Sequence, residues 1–402
     1  MTARFIQLHW LTSYPSVLLN RDDAGFAKRI PFGGTVRTRI SSQCMKRHWR
    51  VFQGMNSLKE ISVPSSIRSR LTFEKYVVSP LIQEGLNPDM VRDVTKALTD
   101  HILGKSKKQD GKAEKSESKA KKQSEMLATS QVTVFGHPEI DYFKEKVRQA
   151  CLGSSDTKEA LNNFNNLLDK LTRENLKRLK HSAGLDASLF GRMVTSDILA
   201  RMDAAIHVAH AFTVHAEASE SDYFSALDDL LTGENVKLES GHINSTELTS
   251  GLYYGYVVVD VPLLISNLEG CSQADAFKAD RSLAAAVVEK LIYMIATVSP
   301  GAKLGSTAPY ASASMLFAEA GASQPRTLAN AFLKPVDERP DLLKNAYQSI
   351  ATYLNDFIQM YGVHNECCIA GMGPIEGVLS ALNTDRVPLA ELSQWAGQQI
   401  RG

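Results

Sequence analysis

Strand-like segments lie toward both ends of this chain with a long helical stretch between them, and that distribution limits the fold more than any single motif. Phe5 to Leu11 alternates, with Ile6, Leu8 and Trp10 on one face and Gln7 and His9 on the other, the two-residue period of a strand. Val36 to Ile40 and Ala204 to His215 alternate in the same way. Leu252 to Ile265, rich in β-branched and aromatic residues, is the strongest strand signal. From Leu58 to Lys180 the chain reads mostly as helix, and Ser282 to Val298 is a further helix stopped by Pro300-Gly301. This arrangement predicts an α+β fold with the helical block inserted as a subdomain.

The chain has 402 residues, 44% hydrophobic and 22% charged, with a formal net charge of +1. That is enough for one large or two ordinary domains with a full core. A near-neutral total argues against a wholly basic binder, but nucleic-acid affinity depends on where charge sits. The five cysteines, Cys44, Cys151, Cys271, Cys367 and Cys368, form no C-x-x-C pair. With no basic-then-apolar leader after Met1, they read as reduced thiols of a cytoplasmic protein. No apolar run reaches the length of a membrane span. Lys105 to Gln123, dominated by lysine, glutamate, serine and alanine, reads as a disordered surface insertion with too little apolar surface to offset ordering.

Between Ala24 and Arg50 stand Lys28, Arg29, Arg37, Arg39, Lys46, Arg47 and Arg50, with no acidic residue. Ser13 to Gly34 reads as a loop, punctuated by Pro15, Pro31 and Gly33-Gly34. Ser41-Ser42 offers an N-cap for a helix behind it. Gln43, Lys46, Arg47 and Arg50 then share one face, while Met45, Trp49 and Phe52 anchor another. The unpaired amides of the helix start suit a phosphate. Arg37 and Arg39, two apart on the preceding strand, point to the same side. Strand, cap and helix together predict a basic surface for a phosphodiester chain. A merely solvated helix would carry acidic neighbours, and this segment has none.

Other candidates carry less. His207 and His210, three apart on one strand, face opposite ways and cannot share a metal. Asp22-Asp23 and Asp228-Asp229 are possible metal carboxylates for phosphodiester cleavage, without an evident third ligand or base. There is no phosphate-binding G-x-x-x-x-G-K-[ST] loop, no H-E-x-x-H and no G-x-S-x-G. The expectation is a non-enzymatic protein without metal or cofactor. A metal-dependent RNA endonuclease using Asp22 or Asp23 is the alternative, and a scaffold binding only protein is a third reading.

The series Leu19-Asn20-Arg21-Asp22-Asp23, Phe32-Gly33-Gly34 and Arg37-Thr38-Arg39-Ile40-Ser41-Ser42-Gln43-Cys44-Met45-Lys46-Arg47 resembles the CasC (Cse4-type) backbone subunits of type I-E CRISPR Cascade, in the RAMP superfamily. Gly191-Arg192-Met193-Val194-Thr195-Ser196, His207-Val208-Ala209-His210-Ala211, Phe224 to Leu230, Ser250-Gly251-Leu252-Tyr253-Tyr254, Pro300-Gly301-Ala302-Lys303 and Leu328-Ala329-Asn330-Ala331-Phe332 continue it in order. The resemblance spans nearly the full chain and is weak only in the helical block. It implies an RRM-like (ferredoxin-like) palm with an inserted helical fingers subdomain and a protruding β-hairpin thumb. Mapped here, these are palm at 1–58, fingers at 59–190, a palm strand region at 191–213, thumb at 214–250 and palm again at 251–402.

The resemblance also implies a function. Copies of such a subunit assemble as a helical filament along crRNA, the guide, and their thumbs kink it at intervals. Bases stay free to pair with a target DNA strand in an R-loop during antiviral defence. Other Cascade subunits process the guide or form the large and small components, and a recruited helicase-nuclease cuts DNA. On this sequence the implied guide contacts are Arg21, Lys28, Ser41, Gln43, Lys46, Arg47, Arg50, Met193 and Lys303. The implied thumb wedge is Phe224 with Ile243 opposite, flanked by Tyr223 and Ser225. Tyr223 departs from the tryptophan that relatives can carry, and the stretch from Leu230 to Gly241 is longer and more polar than in relatives.

Overall fold

The computed structural model describes residues 3–103, 127–167, 184–192, 202–225, 243–302, 304–362 and 365–402. The chain forms two compact units: Met1–Glu60, His207–Val259 and Ala285–Gly402 make the first, and Ile61–Ile206 with Asp260–Ala284 the second.

In chain order the strands are β1 (Phe5–Val17), β2 (Arg29–Phe32), β3 (Thr35–Ile40), β4 (Ser66–Ser69), β5 (Thr133–Gly136), β6 (Ile206–Val208), β7 (Ala211–Thr213), β8 (Ser219–Ser225), β9 (Ile243–Asp260), β10 (Met315–Gly321) and β11 (Glu366–Gly371). The main sheet runs β11-β10-β1-β9-β7-β3-β2, and β6 and β8 also pair with β9. β1 and β10 are antiparallel from Phe5↔Gly321 to Leu11↔Met315. The long β9 pairs with β8 along its first part, Ser219↔Thr249 to Ser225↔Ile243. Further along it joins the sheet body, with Phe212 opposite Tyr254.

Ile6, Leu8 and Trp10 are buried as their alternation predicts, but so are Gln7 and His9. The sheet is covered on both faces, so the polar side of β1 meets protein rather than water. Helix Leu342–Tyr361 brings Tyr347, Ile350 and Leu354 into one core with Leu11, Tyr254, Phe317 and Phe332. Within it, His9 Nδ1 lies 2.9 Å from the Tyr254 hydroxyl and Nε2 lies 3.3 Å from Glu319. Arg326 donates to the other Glu319 oxygen at 2.6 Å, and Tyr256 donates to Gln7 Oε1 at 2.6 Å. Each buried polar group on this strand face therefore has a partner.

Three segments differ from the sequence expectation. Ser13 to Gly34 is not one loop: β1 continues to Val17, and β2 occupies Arg29–Phe32. The Gly33-Gly34 pair is the two-residue turn of the β2–β3 hairpin, with Phe32 opposite Thr35 and φ of 62° and 79°. Those left-handed values suit glycine, and a Cβ on Gly33 would also overlap the Leu333 carbonyl oxygen. Ala204 to His215 divides into β6 and β7, broken at Ala209-His210. The apolar run to Ile265 leaves the sheet at Asp260, which caps helix Val261–Glu269 by accepting the Leu263 amide at 3.0 Å. Pro262 in the first turn fits a helix start, a signal masked by the continuous β-branched run.

The second unit is largely helical. Helices Pro88–Leu103, His137–Cys151 and Thr157–Leu167 enclose Phe73, Val77, Leu98, Phe143, Val147 and Phe164. β4 and β5 pair beside them, from Ser66↔Gly136 to Ser69↔Thr133. Arg192 is buried here on Glu139 at 2.6 Å and also donates to the Val134 carbonyl at 3.2 Å. Residues 105–123 lie outside the described residues. Among the described residues no helix is long and apolar enough to cross a membrane.

Candidate nucleic-acid interface

Helix α1 (Ser42–Val51) starts where β3 ends. Ser41 is its N-cap, in extended backbone, and its Oγ accepts the Cys44 amide at 3.3 Å. Met45 and Trp49 are buried, with Trp49 edge-on to Trp10 at 6.3 Å between centroids. Gln43 and Arg47 are exposed, while Lys46 and Arg50 are half-buried. The first turn holds no acidic residue, so nothing there offsets the positive end of the helix dipole.

The chain ahead of α1 folds back to bring Lys28 to it. Asp22 N–H donates to the Phe26 carbonyl at 2.8 Å, and Arg21 bridges Ala27. Lys28 N–H donates to the Asn20 carbonyl at 2.9 Å, and Arg39 N–H to the Lys28 carbonyl at 2.8 Å. The Asn20 side chain then accepts the Ser41 amide at 2.9 Å. Burial pushes the Cys44 thiol up, while Arg47 and Lys28 pull against it; both cations thus act on the same helix. Behind α1, His48 Nδ1 donates to the Cys44 carbonyl at 2.8 Å and Nε2 accepts the Gly301 amide at 3.4 Å. Sequence reasoning misses Asn20 and His48 as organising residues because their bonds cross 21 and 253 residues.

Two arginines of the basic segment are not surface cations. Arg37 is fully buried and donates to the carbonyls of Phe32, Thr213 and Phe332 at 3.3, 3.0 and 3.0 Å. It ties the hairpin to strand β7 and to the 332–333 segment, so the expected pairing with Arg39 on an open surface does not occur. Arg39 is half-buried, with Nε on the Arg29 carbonyl at 3.1 Å and Nη1 on His210 Nδ1 at 2.9 Å. Arg29 is paired with Glu217 at 2.5 Å and with Glu247. Acidic neighbours are thus absent only along the sequence. Both carboxylates arrive from around the β8–β9 hairpin.

Asp22, Asp23, Ala27, Lys28, Arg29 and Arg39 line a pocket of about 590 Å³. Asp22 Oδ1 accepts the Phe26 amide at 2.9 Å. Among the described residues no group of three or more His, Cys, Asp or Glu side chains is gathered for a metal. Asp228 and Asp229 lie outside the described residues.

In the β8–β9 hairpin, Phe224 stands opposite Asn244, and Ile243 opposite Ser225. Contrary to expectation, Ile243 is therefore not the cross-strand partner of Phe224, because the register is offset by one residue. The side chains of Phe224, Ser225 and Ile243 lie outside the description, as do Met193 and Lys303. Tyr223, opposite Ser245, is 65% exposed. His207 and His210 are both exposed, His207 on β6 and His210 in the break that follows it.

The fold as a whole is similar to that of solved structures. One solved structure, described as a CRISPR RNA-guided surveillance complex, pre-nicking, matches with a TM-score of 0.75 at 23% identity, covering 98% of this chain and 100% of that one. A second, described as a CRISPR RNA-guided surveillance complex, matches with a TM-score of 0.64 at 19% identity, over 98% and 99% of the two chains. The model of the CT1975-like protein family (Cas_CT1975) matches residues 6–395, and the chain belongs to that family. No curated protein matches it.

Proposed function

We propose that this chain is a non-catalytic crRNA-binding backbone subunit of a type I-E Cascade, of the CasC kind. Copies of it would line the guide side by side, next to the other Cascade subunits, and leave bases open to a target DNA strand. In this reading the main sheet is an RRM-like palm, the part of the second unit within 59–190 the fingers and the β8–β9 hairpin the thumb. The observation that carries it is the face of α1. Its apolar side is sunk on Trp10 while Gln43, Lys46, Arg47 and Arg50 lie on the other side, next to Lys28. Such a face meets phosphates and leaves base edges unread, as a guide of variable sequence requires.

The pocket at Asp22 and Asp23 is also lined by Lys28 and Arg39, cations that oppose a divalent metal and so disfavour the nuclease alternative. Labelled single-stranded RNA and Mg²⁺ test both readings. Binding without cleavage is expected, with log affinity falling by about 0.7 per neutralised phosphate per log unit of salt. The Lys46→Ala/Arg50→Ala double variant should bind any RNA sequence more weakly and with a flatter salt slope. Unchanged binding by that variant would sink the reading, and specific cleavage lost in Asp23→Ala would replace it with the nuclease.

A further inference from the structure

We infer that His210, held by Arg39, is a further RNA contact, a neutral imidazole whose Nε2–H donates to a phosphodiester oxygen beside Lys28. This rests on the RNA-binding reading above and adds a contact that the basic segment does not contain. Arg39 is fixed at two points, with Nε on the Arg29 carbonyl at 3.1 Å and Nη1 on His210 Nδ1 at 2.9 Å. A guanidinium is a donor only, so Nδ1 must accept and the ring proton sits on Nε2. Among the described residues the ring makes no other hydrogen bond. The residue is exposed in the break between β6 and β7. Its Nε2–H is thus a directed donor available to a partner from outside.

The position continues the α1 face. Arg39 N–H is bonded to the Lys28 carbonyl, Lys28 N–H to the Asn20 carbonyl, and Asn20 Oδ1 to the Ser41 amide at the helix start. One connected backbone therefore carries His210, Arg39, Lys28 and the cap of α1. Burial, then Arg39 and Lys28, hold the His210 pKa below its ordinary value, which keeps the ring neutral near pH 7. Asp22 and Asp23 share the pocket with Lys28, Arg29 and Arg39, and Arg29 is already paired with two glutamates. Net charge at this point is small, so a phosphate here depends on a directed hydrogen bond more than on a field. His210 should accordingly change affinity without changing salt dependence, unlike the α1 cations.

The test is anisotropy of a labelled single-stranded RNA across a salt series near pH 7, with folding checked by circular dichroism. His210→Leu should weaken binding by roughly three- to tenfold, the range for one ordinary net hydrogen bond, with an unchanged salt slope. His210→Gln, whose amide N–H reaches close to the Nε2 position, should stay within about twofold of the parent. If His210→Leu binds like the parent while the Lys46→Ala/Arg50→Ala variant weakens, the His210 contact is wrong and the RNA-binding face stands. A flattened slope in His210→Leu also overturns it, since that would mean a charge effect. If the α1 variant too binds like the parent, the RNA-binding face itself fails and His210 with it.

Discussion

The side-chain carbonyl of Asn20 accepts the backbone amide of Ser41 at 2.9 Å, while the Asn20 main-chain carbonyl accepts the amide of Lys28 at 2.9 Å. One residue therefore sets the cap of α1 and the position of a cation beside it.

Asn20→Ala should strand the Ser41 amide and lower stability by about 1–2 kcal/mol, the usual cost of a buried donor without an acceptor. RNA affinity should fall severalfold as well, because Lys28 and the helix start lose their common anchor. Asn20→Asp keeps an acceptor and should recover most of the stability. Urea denaturation and RNA titration on the same samples check this. Wild-type behaviour of Asn20→Ala in both would mean the bond organises nothing.

Arg37 and Arg47 should separate cleanly. Arg37→Met takes a buried guanidinium away from the Phe32, Thr213 and Phe332 carbonyls, which should cost about 1–3 kcal/mol and act through folding. Arg47 is exposed on α1, and Arg47→Ala should leave stability within about 0.5 kcal/mol while weakening RNA binding. Paired measurements of denaturation midpoint and affinity decide whether the two arginines do different work.

The β2–β3 turn offers a graded comparison. A Cβ at Gly34 meets nothing within 4 Å, whereas one at Gly33 overlaps the Leu333 carbonyl. Gly34→Ala should cost about 1 kcal/mol for the left-handed backbone alone. Gly33→Ala should cost clearly more, about 3 kcal/mol or above, since the 332–333 segment held by Arg37 must move. Equal costs would show that the segment yields freely.

Acid should destabilise the first unit through two buried histidines. Burial, the largest cause for both, holds His9 and His215 below the ordinary value of 6.5. Unfolding restores that value, so below it the unfolded chain binds protons that the folded one refuses, and stability falls as pH drops. For His215, protonation also removes the acceptor that Nε2 offers to the Leu252 amide at 3.2 Å. Denaturation midpoints between about pH 7 and pH 5 should decline, and His215→Gln should flatten that decline. A slope unchanged in His215→Gln would place the proton uptake elsewhere.

Much of α1 is legible in the sequence. The Ser-Ser cap, the buried pair Met45 and Trp49, and the polar face at Gln43, Lys46, Arg47 and Arg50 follow from helical spacing, which is a local property of the backbone. β3 and the core of β1 are legible for the same reason. The fate of Arg29 and Arg37 is not, since strand parity gives the side a residue points to but not what covers that side. Nor is the turn into helix at Asp260, where an unbroken apolar run hides the cap and Pro262.

By itself the sequence determined the local pieces: where the helix begins, which residues share its faces, and an ordered set of motifs running nearly end to end. Tertiary structure decided that two of the positive charges are taken up inside the fold. Arg37 is spent on carbonyls 176 and 295 residues away, and Arg29 on glutamates 188 and 218 residues away. Charge compensation depends on distance in space, and the fold alone brings those groups together.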